Sequence, residues 1–172
     1  MTAESITIRR ADTADLDTLH ILAGAMGSTK EPGYFGTCLT EQAEGRRELF
    51  ILASNGADAG YGMLNWYPQY SLYRRLEIPE IQDINVLPAF RRRGLATALI
   101  RHCEEQARVR GCAQMGIAVG LYADYGAAQR LYVRLGYMPD GFGITYDRET
   151  VRAGDFRPVD DNLCLMMVRD IA

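Results

Sequence analysis

A strand-like run closing on Val86-Leu87-Pro88 leads through Ala89-Phe90 into Arg91-Arg92-Arg93-Gly94-Leu95-Ala96-Thr97, where residue types and spacing point to chemistry. A helix opening at Gly94 starts with main-chain N–H groups that have no partner inside it, and its aligned peptide dipoles add about half a positive charge there. Gly94 and Ala96 lack bulk, so an anion the size of a pyrophosphate can approach the main chain, and the three guanidiniums supply countercharge in planar forks suited to phosphate oxygens. The same residues also read as a solvated basic helix start, and the arginines alone do not choose between the two. The triphosphate loop G-x-x-x-x-G-K-[ST] and the dinucleotide fingerprint G-x-G-x-x-G are both absent from the sequence.

The elements that must position this stretch follow from periodicity and turn residues. Ser5 to Arg9 alternates as a strand does, and Asp12 offers an N-cap to a helix ending near Gly24, with Leu16, Leu19, His20 and Ala23 on one face. Met26 to Arg47, broken by Pro32, reads as a loop and then a short helix near Thr40 to Gly45. Leu49 to Ala53 and Tyr61 to Tyr67 flank Asn55-Gly56-Ala57-Asp58 and predict a hairpin. Pro68 to Arg75 reads as a surface loop. Pro79 to Leu87 is a strand, Gly94 to Arg110 a helix with Leu95, Leu99, Cys103 and Ala107 four apart, and Gln114 to Val119 a nearly all-apolar strand. Strand, long helix, strand in that order is a parallel unit with a right-handed crossover. Asp124 is placed to cap a further helix carrying Ala128, Leu131, Tyr132 and Leu135 on one face, and strands near Tyr137 to Tyr146 and Asn162 to Arg169 close the chain.

The 172 residues suit one domain, 1–172. Lysine and arginine number 19 against 22 acidic residues, a balance of −3 that gives no global field for a polyanion, so nucleic acid is excluded as a partner. No apolar run is long enough to span a membrane, and Met1 to Arg10 lacks the basic start and apolar middle of a leader, so the expected location is cytoplasmic. Cys38, Cys103, Cys112 and Cys164 are scattered with no C-x-x-C pair, which suggests neither a metal site nor a disulfide framework. Lys30 is the only lysine, a bias best explained by a GC-rich genome.

The sequence resembles the GNAT superfamily of acyl-CoA-dependent N-acetyltransferases. Their pyrophosphate loop, [Q/R]-x-x-G-x-[G/A] after a strand ending V-x-P, is matched by Arg91-Arg92-Arg93-Gly94-Leu95-Ala96 after Val86-Leu87-Pro88. Their second signature, L-Y-x-x-x-G-[F/Y], is matched by Leu131-Tyr132-Val133-Arg134-Leu135-Gly136-Tyr137. The resemblance implies an α/β fold of α+β type: a mixed, mostly antiparallel sheet of about seven strands flanked by about four helices. Two parallel strands, Pro79 to Leu87 and Gln114 to Val119, would splay to form the cofactor cleft.

It also implies acetyl-CoA as cofactor, with main-chain groups of Ile84, Asn85 and Val86 on the pantetheine, the amides of Arg92, Arg93, Gly94, Leu95, Ala96 and Thr97 on the pyrophosphate, and Arg91 as a side-chain contact. Val86 N–H is the expected donor to the thioester oxygen, where negative charge grows. Tyr125, Ala128 and Tyr132 would add contacts from the next helix. Many relatives carry an asparagine where Tyr125 stands, so its contact is a departure. An attacking amine with pKa ~10.4 must lose a proton. Glu80 and Asp83, on the cleft strand, are the candidate acceptors; strand parity with Ile84 and Val86 favours Glu80 unless a bulge disturbs the count. His20 and His102 fall on helices and are poorer candidates. Tyr132 matches the tyrosine that protonates the departing thiolate; on residue pattern alone it also reads as a core aromatic.

The acceptor, a small-molecule or peptide amine, would be bounded by Tyr34, Phe35, Trp66, Tyr67, Tyr70, Tyr73 and Tyr122, an aromatic set suited to an amphipathic pocket. Homodimers are frequent among relatives. A rival reading keeps the fold and the arginine loop but no turnover: a CoA-binding sensor or interaction module.

Overall fold

The computed structural model describes residues 5–28 and 30–172; Met1–Glu4, part of the stretch read for a leader, lie outside the described residues. The fold is mixed α/β, with eight strands in a mostly antiparallel arrangement, one parallel pair and five α-helices among the described residues. The chain divides into two compact units, one running up to Trp66 and resuming over Ile81–Glu105, the other made of Tyr67–Glu80 and Gln106–Ala172.

The first unit orders its strands β1 (Ile6–Arg10), β2 (Arg47–Ser54), β3 (Ala57–Asn65) and β4 (Glu80–Val86), the last belonging to it from Ile81 onward. β2 and β3 form the expected hairpin, and Asn55 and Gly56 at its turn both take positive φ, +50° and +82°, which matches the right-handed twist of the flanking strands. Helices α1 (Leu16–Ala25), α2 (Tyr34–Ala43) and α4 (Leu95–Val109), the last as far as Glu105, complete it. Leu19, Leu22, Phe35, Leu49, Ile51, Tyr61 and Met63 share one core, in which the Phe35 ring meets His20, Tyr34 and Tyr61 edge-on at 5.1–5.3 Å. Before α1, Asp12 accepts a hydrogen bond from Ala14 N–H at 2.8 Å, while Asp15 accepts from Asp12 N–H and pairs with Arg9 at 2.7 Å. That guanidinium holds the Asp15 carboxyl below the usual carboxylate range.

The second unit orders its strands β5 (Gln114–Gly120), β8 (Leu163–Asp170), β6 (Met138–Tyr146) and β7 (Glu149–Thr150), each antiparallel to its neighbour. It also holds α3 (Ser71–Arg75) and α5 (Gly126–Arg134). Tyr70, Tyr73, Ile78 and Met166 form its core. A Cβ at Gly116 would sit 2.4 Å from the Tyr73 ring, so the strand must have glycine there to admit the aromatic.

Three expectations need correction. The second helix is Tyr34–Ala43, not Thr40 to Gly45: Pro32 and Gly33 precede its start instead of breaking it, Gly33 turning the chain at φ +81°, and Phe35, Cys38, Leu39 and Gln42 make its buried face. Pro68 to Arg75 is not loop throughout, because burial of Tyr70 and Tyr73 winds Ser71–Arg75 into α3. Asp124 does not cap α5; it lies inside a 3₁₀ turn, Ala123–Tyr125, that leads into the helix. The two-residue β7 and the short α3 account for the eight strands and five helices found in place of about seven and about four. All four cysteines are free; Cys38 and Cys103 are buried, Cys112 and Cys164 half-buried, and burial raises every one of their thiol pKa values.

Candidate active site

In the first unit β4 ends at Val86, and a 3₁₀ turn, Pro88–Phe90, separates it from the arginine loop. Arg91, Arg92, Arg93 and Gly94 are all exposed. Arg92 and Gly94 hold positive φ, +62° and +86°, and this winding brings the chain onto the start of α4. A Cβ built on Gly94 meets nothing within 4 Å, so the approach there is open. The first bond back along α4 is from Ala98 N–H to Gly94 C=O at 2.9 Å, which leaves Leu95, Ala96 and Thr97 with amides of the unpaired first turn. This cradle fits the pyrophosphate of a CoA-type cofactor. Arg91 turns back, its Nε donating to Val86 C=O at 3.0 Å, and Arg93 stacks over the Phe90 ring at 5.4 Å.

Upstream on β4, Asp83 takes φ +54°, a left-handed residue inside a strand and the mark of a bulge-like kink. The kink presses β4 onto β3: a Cβ at Gly60 would lie 2.1 Å from Asn85 O, so only glycine is accommodated. It also breaks the simple alternation that favoured Glu80. Asp83 is three-way bonded: Lys30 Nζ reaches Oδ2 at 2.8 Å, Tyr34 O–H donates to Oδ2 at 3.0 Å, and Asn85 Nδ2 donates to Oδ1 at 2.8 Å. Ile84, Asn85 and Val86 are half-buried. Burial, with Asp83 next in weight, drives the Tyr34 phenol pKa far up and keeps it a hydrogen-bond donor.

Glu80, the other candidate proton acceptor, has no exposed surface and pairs with Arg148 at 2.8 Å inside the second unit. Tyr132, in the same unit, is 7% exposed on α5, its ring 6.3 Å from that of Tyr137, and burial pushes its phenol up to about 12. It therefore stays a protonated donor across the neutral range. Ala128 on the same helix is half-exposed. Tyr125 donates to Asp161 Oδ1 at 2.9 Å, and Tyr122 donates to the same oxygen. The Tyr122 and Tyr125 rings meet edge-on at 5.1 Å, with Tyr125 lying against Gly120. The tyrosine at this departure from the family pattern is thus committed to Asp161.

The aromatic set divides by burial. Phe35 and Tyr73 have no exposed surface and Tyr70 keeps 3%; all three are core residues, a correction to their expected place on an acceptor pocket. Tyr73 O–H donates to Met167 C=O at 2.5 Å, and Tyr70 donates to Asp140 at 2.8 Å. Trp66 and Tyr122 are half-buried, Tyr67 is well exposed, and Tyr34 belongs to the Asp83 cluster. His20 is exposed, and His102 packs edge-on against Phe50 at 4.8 Å with burial lowering its pKa. Sequence reasoning missed Lys30 and Asn85 around Asp83, Arg148 on Glu80 and Asp161 under the tyrosines. Lys30 alone carried a signal, its singularity.

A profile of the Acetyltransferase (GNAT) family matches residues 17–137. No curated protein matches the sequence. Among solved structures, the chain resembles the Escherichia coli ribosomal-protein-S18-alanine N-acetyltransferase at 23% identity and TM-score 0.68, over 98% of this chain and 95% of that one. It also resembles a Salmonella typhimurium acetyltransferase that modifies the N-terminal serine of ribosomal protein L7/L12, at 14% identity and TM-score 0.72, over 97% and 95%. YncA of Salmonella typhimurium, solved with its cofactor acetyl-CoA, aligns at 20% identity and TM-score 0.65, over 97% and 94%. No helix among the described residues is long and apolar enough to cross a membrane.

Proposed function

Because the chain belongs to the acetyltransferase (GNAT) family, and so is an enzyme using acetyl-CoA, we propose that it moves the acetyl group to a primary amine of a small molecule or peptide by direct attack. The observation that carries this reading is the open cradle at Gly94, where a left-handed glycine exposes the first amides of α4 beside three arginines. When bound, acetyl-CoA supplies the activated acyl carbon. The amides of Arg92 to Thr97 hold the pyrophosphate, with Arg91 beside them. Main-chain groups of Ile84, Asn85 and Val86 would bind the pantetheine arm, with Val86 N–H as the donor to the thioester oxygen.

Asp83 is the group assigned to take the proton from the acceptor ammonium. It is half-buried and keeps some exposed surface, whereas Glu80 is wholly buried on a guanidinium. Tyr132, kept protonated by burial, gives its proton to the departing thiolate. Tyr34 and Trp66, partly exposed aromatics of the first unit, border the acceptor.

The test is mass spectrometry of an amine and peptide panel incubated with the protein and acetyl-CoA. An acetylated product, slowed by Tyr132→Phe about 10²-fold or more, is the expected result. Tight CoA binding with no product from any amine would establish the binding module in its place.

A further inference from the structure

Lys30 is the only lysine in the chain, and its ammonium does not lie in open solvent. Its side chain is 19% exposed and that of Asp83 18%; Nζ stands 2.8 Å from Asp83 Oδ2 and 4.7 Å from the centre of the Tyr34 ring. An amine is thus already seated on the carboxylate that the acetyl-transfer reading charges with deprotonating an amine. It arrives there from the segment between α1 and α2, bounded by Gly27 and Gly33 at φ +70° and +81°, on a four-carbon stem with free rotors. Tyr34 and Asn85 hold the other positions on Asp83, so Lys30 alone occupies the place of an incoming ammonium.

We propose that Lys30 is itself an acceptor, acetylated at Nζ within its own chain by acetyl-CoA; the proposal rests on the acetyl-transfer reading above. The ammonium passes one proton to Asp83 and on to solvent. The freed lone pair forms the N–C bond to the acetyl carbon, the C–S bond of the thioester breaks, and the second nitrogen-bound proton ends on the CoA thiol. The products are an uncharged acetyl-lysine, CoA and one proton. Without its charge, Lys30 no longer forms the ion pair with Asp83.

The experiment incubates the whole protein with acetyl-CoA and no added amine, then maps peptides by mass spectrometry. One acetyl group on Lys30 is expected, gained at a rate independent of protein concentration and slowed about 10²-fold in Asp83→Asn. Lys30→Arg, which keeps the ion pair, removes the gain at that site. Gly94→Glu, which fills the cradle, checks for uncatalysed acetylation: equal labelling of Lys30 in this variant or in urea-unfolded protein overturns the proposal. A rate rising with protein concentration overturns the intramolecular route. An unmodified Lys30 beside an acetylated added amine overturns this proposal and leaves the acetyl-transfer reading standing. No transfer to any acceptor, with no acetyl-CoA bound, overturns both.

Discussion

Asp83 and Glu80 lie three residues apart on β4, and their surroundings could hardly differ more. In the first unit, Asp83 sits at a left-handed kink with an ammonium, a phenol and an amide on its two oxygens, and its side chain keeps 18% of its surface exposed. In the second unit, Glu80 is sealed from solvent with a guanidinium at 2.8 Å. A carboxylate that must accept and release protons needs partners that can leave. One that ties a hairpin turn to the core needs a partner that stays. The same carboxylate group does either job according to what surrounds it, and strand parity alone does not separate them.

The largest effect expected from this contrast falls on Glu80. Glu80→Ala leaves Arg148 without its buried partner and should cost about 3 kcal/mol of stability, read by denaturant unfolding, while the turnover of whatever remains folded changes little. If Glu80→Ala folds normally and loses turnover instead, the two roles are exchanged. Next, Asp83→Asn should lower kcat/KM about 10²-fold, equal to about 2.7 kcal/mol, with stability reduced by no more than about 1 kcal/mol. The double change Glu80→Leu with Arg148→Leu should recover most of the stability lost in Glu80→Ala, because a buried pair replaced by apolar groups of fair volume is often near neutral. Tyr125→Phe, which removes one of the two bonds to Asp161, should cost about 1 kcal/mol.

The smallest effect is a pH dependence at Tyr132. Its folded pKa of about 12 lies above that of an exposed phenol, near 10. Between those values the unfolded chain has lost a proton that the folded chain keeps, so this contribution is complete below about pH 10 and is lost as pH rises towards 12. Tyr132→Phe should therefore flatten the alkaline limb of a stability profile.

Much of the architecture was legible because it rests on local chemistry. The β4-loop-α4 passage is marked by Pro88, the arginines and Gly94, and α4 and α5 by apolar residues at helical spacing. Tertiary burial decided what was not legible. Nothing around Ser71 announces a helix until Tyr70 and Tyr73 find a core, and Pro32-Gly33 reads as an interruption until Phe35 and Cys38 are seen to bury the turns that follow. The site was half legible for the same reason. The cradle residues are contiguous, but Arg148 reaches Glu80, Lys30 reaches Asp83 and Asp161 reaches Tyr125 only through the fold, and the kink at Asp83 is a backbone state that an aspartate does not advertise.

The raised thiol pKa values of the four cysteines bear on how turnover can be watched. At neutral pH, Cys38, Cys103, Cys112 and Cys164 are held in the protonated form that attacks disulfides poorly. The thiol of released CoA, with an ordinary pKa and full access to solvent, has no such protection. A chromogenic disulfide added to the folded protein will therefore report each acetyl transferred above a slow baseline from half-buried Cys112 and Cys164, and reaction of buried Cys38 and Cys103 will signal that the cores themselves have opened.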